Sequence, residues 1–551
     1  MAQVPERDAR LSNLPNTDTH FTMPEYKTRA EWERRKLQLR QQILTSAGLD
    51  PMPVKDPLHA RITGRMKTRD CFIEKVLVET MPGYFLGGNL YRPLSGEGKH
   101  PAVLNPHGHW TYGRLENQPL YSGPQLGANL ARQGYVVFAW DMVGYNDTVQ
   151  TPHAFGSPAE QLWGFGPVGL QLWNAIRAVD FVTSLDDVDP ARVSMTGASG
   201  GATQTLLLAA VDDRVSVYAP VNMVSFIMQG GDVCENAPGL RVGTNNVEIA
   251  AMIAPKPMML VAATGDWTRN TATEEFPAIR KIYALYGKPE NVEMVVLDAP
   301  HNYNKANREA VYRFFAKHVL RSPDPMKVSE KDAEVPKLQD MLALFGTTAP
   351  AGAASYAQVF AAWKQRGLLH SRQALIRALG VEFPGEVISD GKALSRPAAG
   401  DRVPYELVTN EVGDAKGSPA LIVGGTRADA PAGRPSMIVD VFGTRDHSGK
   451  HFSAFNLTDD QLRVQDILTA LHWLQAKYPG RSVEVIGVGT AGSVWTKFAS
   501  AVAPGKVQWR GDTSAFHGTD EDFVKWFNVP GIQLAGGLPA AELMIGAAAG
   551  N

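Results

Sequence analysis

At 551 residues the chain exceeds one ordinary hydrophobic core, and its length predicts two or three domains. An apolar fraction of 44% with 20% charged residues fits a soluble globular protein, and a formal net charge of -2 excludes bulk attraction to nucleic acid or to an anionic membrane. No run of about 18 apolar residues predicts a membrane span. The start, MAQVPERDAR, lacks a signal-peptide pattern, so location stays open and a secreted or periplasmic site would require a presequence that has been removed. Two cysteines, Cys71 and Cys234, allow at most one disulfide and fix no compartment. In chain order, residues 28–46 read as an amphipathic helix with Leu37, Leu39, Ile43 and Leu44 as its buried stripe, inside an N-terminal helical arm of residues 1–60. Residues 70–107 change to three β-rich runs separated by turn residues. Helices and strands then alternate: a helix near 123–133, YVVFAWD, a helix near 167–184, RVSMTG, a helix from about Gly201, VSVYAPV, PMMLVAATGD, a helix near 275–287, VEMVVLDAP and a helix near 307–320.

That alternation predicts an α/β domain over residues 61–321, a parallel sheet with helices on both faces. The turn-rich stretch 222–254 is longer than a normal strand-to-helix connection and reads as a lid insertion. Residues 322–355, with one amphipathic helix near 330–345, read as a connector, and 356–551 as a smaller α/β domain.

The chemistry concentrates in Gly197-Ala198-Ser199-Gly200-Gly201, a G-x-S-x-G pentapeptide between an apolar strand and an apolar helix. Small neighbours let the backbone turn sharply and project the serine hydroxyl above the sheet. A serine needs a histidine to take its proton and a carboxylate to orient that histidine. His301, in the loop after the last predicted strand, fills the first role, while His318 falls inside a helix. Asp266, at the end of the preceding strand, fills the second, with Asp298 as its rival. Gly200 and His109 are expected to supply the oxyanion-hole N–H groups, His109 from the His107-Gly108-His109 turn. The H-x-H spelling also suggests a metal, but no third ligand is identifiable nearby, so no metal and no cofactor are expected. Trp110, Tyr145, Trp163 and Trp267 are candidate substrate contacts, against core packing for each. Glu235 and Arg241 either contact substrate or tie the lid down.

The second domain echoes the first. PALI at 419–422 matches PAVL at 101–104, Asp440 and Gly443 match Asp141 and Gly144, and SVEVIGVGTAG sets Gly487 opposite Gly197 and Gly489 opposite Ser199. The competing reading is a dinucleotide fingerprint, Gly487, Gly489 and Gly492 with Asp512 as the ribose acid. A degenerate hydrolase-like repeat is favoured, because strands and a helix precede the glycines in the order of the first half.

The segments NPHGHW, WDMVGYND, LWGFGPVGLQLWNAIRAVDF, TGASGGATQT, GGDVCENAPGLR, ATGDWT and DAPHNYN together resemble the bacterial α/β-hydrolases of the acetyl xylan esterase-like group, with kinship to dienelactone hydrolases and prolyl oligopeptidase catalytic domains. The resemblance covers residues 28–320. It implies a serine carboxylic ester hydrolase acting on acetyl-type acyl esters of carbohydrates, small or polymeric, through Ser199, Asp266 and His301. A serine peptidase with the same triad stays open, as does a bifunctional protein with a dinucleotide-binding second domain. Nucleic acid and membrane are not expected as partners, and homo-oligomerisation is left open.

Overall fold

In a computed structural model, the apolar runs between residues 61 and 300 pair into one nine-stranded mixed sheet with helices on both faces. The structure describes residues 3–12, 14–96, 98–347, 349–408 and 417–549; Met1, Ala2, Gly550 and Asn551, the outer ends of the expected arm and second domain, lie outside the described residues. The strands are β1 (Arg61–Lys67), β2 (Phe72–Met81), β3 (Tyr84–Arg92), β4 (His100–Pro106), β5 (Val136–Trp140), β6 (Val188–Ala198), β7 (Val217–Val221), β8 (Met258–Gly265) and β9 (Val292–Pro300). Their order in the sheet is β1-β2-β3-β5-β4-β6-β7-β8-β9. The first three pair antiparallel and β3 meets β5 antiparallel, after which every neighbour is parallel. Parallel pairing matters for the site, because the carboxyl ends of β4 to β9 then share one edge, where loops converge.

The helices are α1 (Arg29–Ser46), α2 (Gly123–Arg132), α3 (Pro167–Thr183), α4 (Gly200–Val211), α5 (Glu275–Leu285) and α6 (Lys305–His318). Leu126 and Leu130 of α2 and Val311 and Phe315 of α6 share an apolar cluster with Val103, Val137, Ala219 and Val261 of the strands. Residues on β5 and β7 are buried throughout, as strands covered on both faces must be. On α1 the buried residues are Trp32, Leu39 and Ile43, while Leu37 is 69% exposed. Of the expected stripe, Leu39 and Ile43 are buried, Leu44 is half-buried and Leu37 alone faces out. Strand β1 carried no signal in the sequence, since RITGRMK lies at the sheet edge with almost every residue exposed and no alternation to read.

By contacts the chain divides into a larger unit, Thr17–Phe155 with Gly166–Gln365, and a smaller one, Met1–Asn16 with Gly156–Phe165 and Arg366–Asn551. Residues 322–355 are thus not a free connector. Glu334 N–H donates to Asp70 at 2.7 Å, Leu344 N–H donates to Asp147 at 2.9 Å, and Ala333 and Met341 enter the sheet's apolar cluster. Their helix is only Leu338–Met341, because the backbone is drawn out along the larger unit instead. The first sixteen residues, expected in the helical arm, group with the smaller unit, where Arg10 pairs with buried Asp466 at 2.6 Å and Pro15 C=O accepts from Asn456. The expected single arm is split between the two units.

The smaller unit holds β10 (Ile388–Ser389), β11 (Ala393–Ser395), β12 (Val403–Leu407), β13 (Ala420–Val423), β14 (Ser436–Val439), β15 (Val483–Gly487) and β16 (Val507–Arg510), in the order β10-β11-β12-β14-β13-β15-β16. This reproduces the first seven positions of the larger sheet, three antiparallel strands followed by parallel ones with the second parallel strand placed before the first. Helix α7 (Gly489–Val502) follows β15 as α4 follows β6.

Candidate active site

Ser199 stands between β6 and α4 with φ 57° and ψ -124°, a left-handed conformation that a non-glycine residue adopts only at a cost of about 1–3 kcal/mol. The turn is held from both sides. Ser199 N–H donates to Val221 C=O on β7 at 3.0 Å, and Ser199 C=O accepts from Ala202 and Thr203. The glycines around it are there for space: a Cβ on Gly201 would lie 2.3 Å from Pro106 O, and one on Gly108 would lie 2.7 Å from Ala198 O. The loop after β4 therefore presses backbone to backbone on the elbow. Gly200 opens α4, so its N–H has no partner within its own helix and lies at the positive end of the helix dipole.

Asp266 follows β8 and His301 follows β9, neighbouring parallel strands in which Gly265 pairs with Pro300. His301 Nδ1 lies 3.2 Å from Asp266 Oδ2. The Asp266 side chain is wholly buried, and it also accepts from Trp267 N–H at 2.7 Å and from Thr268 Oγ1–H at 3.1 Å. Asp298 points elsewhere: it is exposed and accepts from Thr264 Oγ1 at 2.6 Å. His318 lies in α6 with its Nε2 2.7 Å from Glu293.

The loop carrying His301 is anchored by residues that the sequence reading did not single out. Asn302 Oδ1 accepts from Asn304 N–H and from Asn307 Nδ2, its carbonyl accepts from Asn222 Nδ2, and Tyr303 Oη lies 2.7 Å from Thr196 Oγ1 on β6. Their signal was the run HNYN, read only as the loop that carries His301. A second buried anchor is Arg114, which pairs with Asp141 and, at 2.6 Å, with Asp147, and donates to Asn89 at 2.8 Å. It holds the loop after β5.

Around His301, the Trp267 ring sits 4.3 Å away, tilted, and the Trp110 ring 6.3 Å away, stacked. Trp110 also stacks on Tyr121 at 5.1 Å. Tyr145 meets His107 edge-on at 5.0 Å and His153 at 5.1 Å. Trp163 groups with the smaller unit, where its Nε1–H donates to Asp520 at 2.9 Å. Glu235 and Arg241 are structural ties of the 222–254 insertion. Glu235 accepts from Thr203 Oγ1 on α4 and from the N–H groups of Gly231 and Asp232, and Arg241 donates to Asn246, to Asn236 and to Glu235 C=O. Both are buried.

The His107-Gly108-His109 turn does not chelate through its two rings. His107 is buried, with Nδ1 2.6 Å from Gly108 O and Nε2 accepting from Met142 N–H at 3.0 Å, and burial pushes its pKa down to about 3. His109 Nε2 turns away to lie 3.1 Å from Cys234 Sγ, beside His153 and Asp232. The expectation that His109 has no further ligand-type neighbours is corrected, since those three come from segments too distant in sequence for spacing to reveal. Cys71 and Cys234 are both free and buried, so the disulfide left open is not formed.

Residues 66–228 match the acetyl xylan esterase (AXE1) family model. That segment holds β2 to β7, the elbow and the first turns of the insertion. Over 292 residues the chain is 26% identical to the putative hydrolase YtaP of Bacillus subtilis (strain 168), covering 49% of this chain and 95% of that protein. The solved structure of methylesterase BT1017 superposes with a TM-score of 0.53 at 28% identity, covering 61% of this chain and 75% of the other. The larger unit has the α/β-hydrolase fold, and its AXE1-matched segment is kin to ester hydrolases. Among the described residues no helix is long and apolar enough to cross a membrane.

Proposed function

We propose that the chain is a serine carboxylic ester hydrolase that acts on acetyl-type acyl esters of carbohydrates through an acyl-enzyme. The observation that carries this reading is the Asp266–His301 hydrogen bond at the same sheet edge as Ser199, with Ser199 in the left-handed turn of an elbow. Ser199 Oγ attacks the ester carbonyl carbon while His301 Nε2 takes the hydroxyl proton, and Asp266 accepts from His301 Nδ1–H to hold that tautomer and to stabilise the imidazolium. The carbonyl oxygen gains the negative charge, which the N–H groups of Gly200 and His109 receive, a loss of about 3–4 kcal/mol for each donor removed in comparable sites. Collapse expels the alcohol, which leaves with the proton from His301. Water then attacks the acyl carbon, giving its proton to His301, and the acid departs as Ser199 regains its hydrogen.

Trp110 and Trp267 flank the histidine and provide flat apolar surfaces suited to a sugar ring or an acyl group. The AXE1 match and the methylesterase likeness support an ester of a carbohydrate over a peptide bond. Labelling with a fluorophosphonate followed by peptide mapping tests the nucleophile, and label on any serine but Ser199 refutes it. Hydrolysis of p-nitrophenyl acetate beside an aminoacyl p-nitroanilide tests the bond class. A screen of acetylated, methylated and feruloylated oligosaccharides with mass-spectrometric readout then names the substrate.

A further inference from the structure

Four side chains from three separate segments converge next to the elbow: His109 from the loop after β4, His153 from the loop after β5, and Asp232 and Cys234 from the insertion after β7. One ligand-type atom from each lies within 4.8 Å of all the others. Three of these separations are shorter: His109 Nε2 to Cys234 Sγ is 3.1 Å, His109 Nε2 to Asp232 Oδ2 is 3.8 Å, and His153 Nε2 to Asp232 Oδ1 is 3.7 Å. Around a tetrahedral ion with bonds of about 2.0–2.3 Å the ligand atoms stand roughly 3.3–3.8 Å apart. The cluster is close to that size.

An independent observation comes from His153. Its Nδ1 lies 2.8 Å from Val143 O and must therefore carry the proton, which leaves the lone pair on Nε2. That Nε2 atom is buried and makes no hydrogen bond, an orphan acceptor aimed into the cluster. A ligating histidine is normally oriented by such a bond from its other nitrogen to a backbone carbonyl. Asp232 and Cys234 are also held. They sit on one turn whose N–H groups cap onto Glu235, Glu235 is tied to Thr203 of α4, and Cys234 C=O accepts from Gln171 on α3. Two neutral imidazoles, one carboxylate and one thiolate together balance a divalent charge, and the thiolate favours a borderline-soft ion over magnesium or calcium.

We propose that His109, His153, Asp232 and Cys234 form a four-coordinate binding site for a zinc-class divalent ion. Its place in the fold gives it a structural task. The ion would clip the 222–254 insertion to the loops after β4 and β5, with the His109 ring beside the first residue of α4, where a Cβ on Gly200 would meet His109 Cε1 at 2.8 Å. Binding releases the thiol proton of Cys234 as the sulfur–metal bond forms. Nothing in this proposal depends on the reaction assigned to Ser199, and its test reads metal directly.

The metal-stripped full-length chain should bind one Zn2+ per chain, measured by atomic emission after dialysis and by titration calorimetry. Co2+ loading should give the visible bands of a tetrahedral ion together with a thiolate-to-cobalt charge-transfer band. His153→Gln and Cys234→Ser should each weaken binding by at least about 100-fold while the circular dichroism of the chain is unchanged, and Cys234→Ser should lose the charge-transfer band. If one variant fails to fold, the cobalt spectrum of the unaltered chain still decides thiolate ligation. Substoichiometric binding, a cobalt spectrum without a thiolate band, or affinity untouched in both variants would overturn the site.

Discussion

Asp266→Asn replaces one carboxylate oxygen by an NH2 group of nearly the same size, so it alters protons rather than packing. Trp267 N–H, 2.7 Å from Oδ1, is an obligatory donor and fixes the amide oxygen of the new side chain on that side. The NH2 must then face His301 Nδ1 and Thr268 Oγ1, now 3.2 and 3.1 Å from Oδ2. Thr268 can rotate its hydroxyl, but the imidazole can avoid a donor-to-donor clash only by moving its proton to Nε2. In that tautomer it cannot accept the proton of Ser199. A loss of about 10^4 in kcat is expected, equivalent to roughly 5.4 kcal/mol of barrier at about 1.36 kcal/mol per decade. Folding stability should fall by only about 1–3 kcal/mol, the range for a hydrogen bond that loses its charge. Asp298→Asn is the internal control: Asp298 is exposed and bonded to Thr264, so its kcat should stay within a few-fold of the parent. Turnover of p-nitrophenyl acetate, normalised to active sites titrated with fluorophosphonate, separates the two. Equal effects, or a larger loss in Asp298→Asn, would refute the assignment of the acid.

Ser199→Ala should remove nearly all turnover, on the order of a million-fold, without lowering the melting temperature, because relief of a strained left-handed serine is not expected from alanine and little core depends on the hydroxyl; residual hydrolysis within ten-fold of the parent would reject it as nucleophile. Gly201→Ala should destabilise the chain by about 1–3 kcal/mol in urea unfolding, since its Cβ would meet a backbone carbonyl oxygen at 2.3 Å that no side-chain rotation can move; an unchanged midpoint would count against the tight elbow. Glu293 is held below its ordinary pKa chiefly by His318 and then by Lys317, so it contributes stability above the usual glutamate value near about 4.3 that is lost as pH falls through the lowered value. Glu293→Gln should therefore be less stable than the parent at neutral pH, by at most about 1 kcal/mol for so exposed a pair, with the gap closing in acid below about pH 4; a gap that widens there contradicts the sign. NAD and NADP should not bind the chain in calorimetric titration, and micromolar binding lost in Gly489→Val would overturn the degenerate-repeat reading.

How much of this was legible depended on whether the signal was local. Strand and helix order came through because apolar runs alternate with amphipathic ones, and the elbow because its glycines are needed within five residues of Ser199. What failed was non-local. Nothing in residues 322–355 says that their backbone N–H groups will find Asp70 and Asp147 on the larger unit. Nothing near Trp163 in the sequence says that residues 156–165 will group with the smaller unit. Nor does the sequence say that Glu235 will bond Thr203 on α4 together with the amides of its own turn, or that Arg241 will bond Asn246, Asn236 and the Glu235 carbonyl. His153 and Asp232 are single residues, 79 apart, that only the tertiary fold brings beside His109.

The smaller unit turns on the same distinction between order and chemistry. Its sheet keeps the order of the first seven strands of the larger one, and Gly489, opposite Ser199 in the repeat, shares its positive φ, 69° against 57°. A dinucleotide site would need its glycine-rich turn after the first strand of a parallel sheet. Here that turn follows β15, the third parallel strand in the chain, as the elbow follows β6 in the larger unit. Asp512, read as a ribose acid, is instead bonded within its own loop to Ser514 N–H at 2.8 Å. Beyond β16 the described residues form two helices and no strand, so nothing corresponds to β8 and β9, the strands after which Asp266 and His301 stand in the larger unit. A nucleophile placed at position 489 would have no carboxylate and no histidine delivered to it by those strands. Gly489→Ser should therefore gain no esterase activity when Ser199 is replaced by Ala in the same chain, and any fluorophosphonate label at position 489 in that double variant would show that the smaller unit retains catalytic groups which its strand order does not supply.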